Sequence, residues 1–214
     1  MTKVIGLLLA KDEADILPLM LEENKWLDGI VAIDHDSSDK TYEILKSNPL
    51  VLDLEKNDSP YNEKYFVEKM MWTAEKHKAD WYVSLDADEI YDDGIRKIIA
   101  NISKEFNTIT VTLKYILGMD RANCYKVVEN FPRIFRNLGI VELMNNTMGV
   151  IHRGKLPIPK EQRIHYHSGI SCWHYQIRSR EQGFYKYNRC LENDSELKYQ
   201  PQGYEHLREL ALCL

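Results

Sequence analysis

The chain has 214 residues, enough for one domain with a sizeable core and a C-terminal extension. Hydrophobic residues make up 44% and charged residues 29%, and the net charge of −5 argues against general nucleic-acid binding, which needs a clustered basic surface. The apolar run Val4 to Ala10 is too short to span a bilayer and no cleavage pattern follows it, so a cytoplasmic protein is expected. Cys124, Cys172, Cys190 and Cys213 are widely spaced without a C-x-x-C pair and read as reduced structural thiols.

In chain order, Val4 to Ala10 reads as a strand buried on both faces. Ile16 to Trp26 repeats apolar residues at helical spacing, with Pro18 in the first turn, where a missing N–H is tolerated. Gly29 to Ile33 is a second strand, Asp39 opens a helix to about Ser47, and Leu50 to Leu54 is a third strand. A longer helix is predicted over Tyr61 to Lys78, with Tyr65, Phe66 and Met70 inside and Lys64 and Lys69 on a solvated face. It leads into a strand starting at Trp81. Ile95 to Ile102 then reads as a helix and Thr108 to Leu117 as a β-branched strand. Gly118 to Pro159 carries turn signals and reads as irregular, while Ser179 to Asn193 and Tyr204 to Leu214 read as helices divided by Pro201-Gln202-Gly203. The alternation over the first half predicts an α/β fold, a Rossmann-like and mostly parallel sheet flanked by helices, with a helical C-terminal segment.

Ligands of open α/β sheets bind beyond the carboxyl ends of the strands, and three acidic clusters occupy such ends. They are Lys11-Asp12-Glu13, Asp34-His35-Asp36-Ser37-Ser38-Asp39 and Asp86-Ala87-Asp88-Glu89. In an extended chain Asp86 and Asp88 share one face, with Trp81, Val83 and Leu85 packing on the other. Two hard oxygen ligands without cysteine suit Mg²⁺ or Mn²⁺, which keep positions open for substrate phosphates.

These segments resemble the GT-A fold glycosyltransferases, in particular family 2 and its Asp-x-Asp-Glu branch. Lys11-Asp12-Glu13-Ala14-Asp15 looks like the opening Lys-Asn-Glu motif, Asp34 through Thr41 like Asp-Asp-Gly-Ser-x-Asp-Gly-Thr, and Trp81 through Glu89 like Trp-x-x-x-x-Asp-x-Asp-Glu. Phe131-Pro132-Arg133-Ile134-Phe135-Arg136 and His174-Tyr175-Gln176-Ile177-Arg178-Ser179 resemble two later motifs. The chain departs from the pattern where His35 replaces an acid, Asp36 and Lys40 replace glycines, and Asp12 replaces asparagine.

The resemblance implies a nucleotide-sugar laid across the first strand ends, with Glu13, Asp34 and Asp36 near base or ribose and Asp86 facing ribose and metal. It makes Asp88 the direct ligand of Mn²⁺ or Mg²⁺, His174 a further ligand ahead of His165 and His167, and Arg178 a partner for phosphate. An acceptor base is not marked by a motif; Glu142 is the candidate, with Asp120 and Glu129 behind it. The expected organisation is a GT-A domain over 1–178, divided into a nucleotide-sugar-binding half (1–117) and an acceptor and metal-completing half (118–178), followed by a helical extension (179–214). The expected activity is metal-dependent, inverting transfer of a sugar from a nucleoside diphosphate sugar to a glycan, lipid-linked or protein acceptor. A nucleotidyltransferase and a non-catalytic sugar-nucleotide-binding protein are the alternatives. The apolar C-terminus, Glu209 to Leu214, offers a homodimer or peripheral membrane contact beside simple core packing.

Overall fold

A computed structural model describes residues 2–139, 158, 162–193 and 205–214. The chain divides into two compact units, Met1–Thr112 with Glu129–Cys172 and Leu113–Val128 with Trp173–Leu214.

The first unit alternates strand and helix in the way the sequence predicts: β1 (Val4–Ala10), α1 (Leu17–Glu23), β2 (Gly29–Asp34), α2 (Thr41–Ser47), β3 (Val51–Lys56), α3 (Glu63–Lys76), β4 (Trp81–Asp86), β5 (Glu89–Tyr91) and α4 (Ile95–Asn101). It also holds parts of β6 (Thr108–Leu117), β7 (Cys124–Arg136) and β8 (His165–Ile177). The eight strands form one sheet in the order β3-β2-β1-β4-β7-β6-β8-β5. β3, β2, β1 and β4 run parallel, whereas β7 lies antiparallel to β4 with Tyr82 opposite Phe135.

Side-chain alternation accounts for the core. Ile5 and Leu7 of β1, with Val31 and Ile33 of β2, share a cluster with Phe66, Met70 and Ala74 of α3. The intervening residues Val4, Leu8, Ile30 and Ala32 are equally buried, as a sheet covered on both faces requires. Gly29 makes room for a neighbour, since a Cβ there would lie 2.2 Å from Leu52 Cδ1 of β3. Asn62 caps α3 by accepting from the Tyr65 N–H at 3.1 Å. Tyr65 departs from the sequence reading: it is exposed, and Phe66 alone of the pair enters the core.

The larger difference lies in the segment read as irregular. Residues 124–136 form a 13-residue strand. Its Asn130, at φ 55°, and Pro132 look like turn residues, and its first half is largely exposed, so the apolar alternation that marks a strand is absent there. The strand is held by its pairing with β4, a long-range contact that local pattern does not reveal.

In the second unit a short 3-10 turn, Arg121–Asn123, is capped by Asp120, which accepts from the Ala122 N–H at 2.9 Å. Helices α5 (Arg180–Asn193) and α6 (Glu205–Leu212) pack together. Gly183 permits their approach: a Cβ there would sit 2.5 Å from the Ala211 Cβ. No described helix is long and apolar enough to cross a membrane.

Candidate functional site

Parallel pairing puts the acidic segments level. Ala10 pairs with Asp34 and Leu9 with Asp86, so β1, β2 and β4 end side by side. The chain winds outward from β1 to β2 and β3, then places β4 on the other side of β1, and that reversal opens the crevice in which α/β sheets bind ligands.

The loops after β1 and β2 are tied to each other. Asp12 accepts from the Ser38 N–H at 2.7 Å and its own N–H donates to Ser37 Oγ at 3.0 Å. The Glu13 N–H donates to Thr41 Oγ1 at 2.8 Å, the Ala14 N–H to Asp39 Oδ2 at 3.0 Å, and Lys11 Nζ to the His35 carbonyl at 3.0 Å. Asp12 and Asp36 both adopt left-handed backbone, at φ 53° and 52°. Asp and Asn tolerate that conformation better than other non-glycine residues, which explains how aspartate fits where the motif has glycine or asparagine.

Asp34 is fully buried; its Oδ1 accepts from the Ser37 N–H at 3.1 Å, and its buried Oδ2 has no hydrogen-bond partner among the described residues. Glu13 is 6% exposed. Asp36 turns outward, 3.7 Å from Lys56 Nζ. His35 lies against Phe66 and Tyr61, with ring centroids 5.2 and 5.6 Å away, and its Nε2 is 2.9 Å from the Ser59 carbonyl.

At the end of β4 the two aspartates part company. The strand stops at Asp86, and Asp88 belongs to the two-residue turn leading to β5. The expected common face of an extended chain is thereby replaced by a half-exposed Asp86 and an Asp88 that is 4% exposed. Glu89 follows on β5 and is completely buried, ion-paired with Arg133 of β7. Arg133 also donates to Asp86 Oδ2 at 3.0 Å and to Ser84 Oγ at 3.3 Å. Tyr91 donates to Glu89 Oε2 at 3.3 Å and to the Ser84 carbonyl at 3.0 Å. Burial opposes the charge on Arg133, but Glu89 and Asp86 outweigh it and hold the guanidinium protonated. Burial, with Glu89 behind it, pushes the nearby Cys172 thiol well up and keeps it neutral.

Asn24 fixes β5 from behind. It is fully buried, its Nδ2 donates to the Glu89 carbonyl at 2.8 Å, and its Oδ1 accepts from the Tyr91 N–H at 3.1 Å. Neither Arg133 nor Glu89 is among the site residues that the sequence points to. Both stand in segments that carry the resemblance, but their pairing spans 44 residues of chain and no local pattern reveals it.

The remaining sequence candidates belong to other elements. His174 lies on β8 in the second unit, half-buried, with its ring centroid 4.9 Å from that of Tyr115. Arg178 is 8% exposed and its Nη1 donates to the Tyr175 carbonyl at 3.0 Å. His165 and His167 stand on the first unit's part of β8 with rings 6.2 Å apart; burial, with Arg163 and His167, lowers the His165 pKa. Asp120 serves as a turn cap and Glu129 is exposed on β7. Lys69 pairs with Glu55 at 2.6 Å. Glu142 lies outside the described residues, as does the side chain of Lys64.

No protein-family model matches the sequence, and no curated protein matches it. Among solved structures the fold is similar to that of TarS from S. aureus. TarS 1-349 in complex with UDP-GlcNAc aligns with a TM-score of 0.58 and 13% identity, over 99% of this chain and 72% of that one. The same fragment with UDP gives 0.55 and 12%, over 99% and 71%, and a further TarS structure gives 0.54 and 13%, over 96% and 42%. This likeness shows a GT-A-like α/β fold.

Proposed function

We propose that the chain is a metal-dependent glycosyltransferase of the family 2, Asp-x-Asp-Glu kind, moving a sugar from a nucleoside diphosphate sugar to a glycan, lipid-linked or protein acceptor with inversion. The observation that carries this reading is the level alignment of three acidic strand ends, β2, β1 and β4, at the reversal of strand order in a GT-A-like sheet. The complexes of TarS with UDP-GlcNAc and UDP support the choice of donor class.

In this reading residues 1–117 hold the donor and 118–178 serve the acceptor. Asp34 presents a buried acceptor oxygen suited to a base N–H or a ribose hydroxyl, with Glu13 and Asp36 flanking it. Asp86 and Asp88 are the candidate ligands for Mn²⁺ or Mg²⁺, with His174 the further ligand that the sequence resemblance implies. Two carboxylates and an imidazole fit a divalent ion of borderline hardness, and a carboxylate as buried as Asp88 is well suited to hold one. When bound, the ion would supply Lewis-acid neutralisation of the diphosphate leaving group. Arg178 donates a charge-assisted hydrogen bond to phosphate. Glu142 takes the acceptor hydroxyl proton as that oxygen attacks the anomeric carbon.

The test is product analysis with a panel of nucleoside diphosphate sugars in the presence of Mn²⁺. Release of nucleoside diphosphate is expected from the wild type and its loss from Asp88→Ala. Release of pyrophosphate would overturn the reading in favour of nucleotidyl transfer, and unchanged turnover by Asp88→Ala would remove Asp88 from its role.

A further inference from the structure

Glu89 is the third acid of the Asp86-Ala87-Asp88-Glu89 cluster, but its environment is unlike that of the other two. Its side chain is fully buried, and both oxygens are engaged: Oε1 by Arg133, Oε2 by the Tyr91 hydroxyl and, at 3.4 Å, by the Asp86 N–H. Arg133 is itself only 12% exposed and reaches three groups at once, Glu89, Asp86 Oδ2 and Ser84 Oγ, while its guanidinium carbon lies 4.9 Å from the Phe131 ring. A planar fork of N–H donors can make such a set of bonds, and a single ammonium is much less suited to it.

From this arrangement we infer that Glu89 and Arg133 are positioning residues for divalent-cation binding: Glu89 anchors Arg133, and Arg133 clamps Asp86 by Oδ2 so that Oδ1 is presented to the ion. The inference rests on the metal reading of Asp86 and Asp88 given above. Its chemistry is that of outer-sphere groups which orient a ligating carboxylate and whose loss weakens metal affinity. Glu89 is then no ligand, although its place in the acidic cluster suggests one. The pair is electrically neutral, so its joint removal leaves the local charge unchanged and isolates orientation from electrostatic attraction.

That neutrality defines the experiment. Mn²⁺ titration of the ion-free protein, followed by electron paramagnetic resonance of the free ion, is run beside thermal unfolding for the wild type, Glu89→Gln, Arg133→Lys, the double variant Glu89→Gln/Arg133→Met, and Asp88→Ala. Removing Glu89 alone strands a buried cation and lowers Tm by about 10 °C, whereas the double variant recovers most of that loss. Its Mn²⁺ affinity nevertheless falls about tenfold, and Arg133→Lys, which keeps the charge and loses the fork, falls with it. A pair that only stabilises the fold gives both variants wild-type Mn²⁺ affinity, which would overturn the inference while Asp88→Ala, losing the ion, upholds the site. A wild type that does not bind Mn²⁺ would overturn the site and the inference together.

Discussion

Aspartate plays four different parts in this site, and backbone conformation decides which. Asp34 ends a buried strand and offers an inward oxygen, Asp36 sits in left-handed backbone and turns outward, Asp86 is held at a strand end, and Asp88 is folded into a turn. The spacing of Asp86 and Asp88 was legible as a pair of acids at a strand end. Their separate environments were not, because a period-two argument holds only while the chain remains extended and the strand stops at Asp86. Arg133 and Glu89 were harder still, since nothing local in either segment encodes a contact made across 44 positions. Asp36 permits a direct test of the backbone argument. Asp36→Gly is expected to leave stability unchanged or slightly raised, while Asp36→Val costs about 1–2 kcal/mol through steric conflict at positive φ. Urea unfolding of the two variants checks this, and equal stability would show that φ at this position is immaterial.

Elements with strong periodicity were readable: β1, β2, α3 and α4 fall within a few residues of their expected bounds. β7 was not, because half of it is exposed and it carries Asn130 and Pro132 where a strand of regular pattern has neither. β5 is three residues long, too short to announce itself, and is pinned through Asn24 at the end of α1. Replacing Asn24 removes one hydrogen bond from the Glu89 carbonyl and one from the Tyr91 N–H at a fully buried position. Asn24→Ala is therefore expected to cost about 2–4 kcal/mol, seen as a fall in Tm of roughly 5–15 °C. Amide hydrogen exchange should quicken first at Tyr91, and unaltered protection there would mean that β5 has another anchor.

At the scale of the whole molecule, the parallel order β3-β2-β1-β4 is what turns scattered acids into a site. Alternating strand and helix patterns made a mostly parallel α/β sheet legible from the sequence, the motif resemblance made it GT-A-like, and the likeness to TarS bears out that fold. The order of strands is less accessible, because it depends on long-range pairings such as β4 with β7 that no single segment contains. Under the proposed function, this sheet presents a cation-dependent site for a nucleoside diphosphate. Calorimetric titration with UDP, with and without Mn²⁺, tests it most directly. Binding at least tenfold tighter with Mn²⁺ is expected in the wild type, with no such gain in Asp88→Asn, which keeps the shape and removes the charge. UDP binding that is indifferent to Mn²⁺, or a gain that persists in Asp88→Asn, would contradict it.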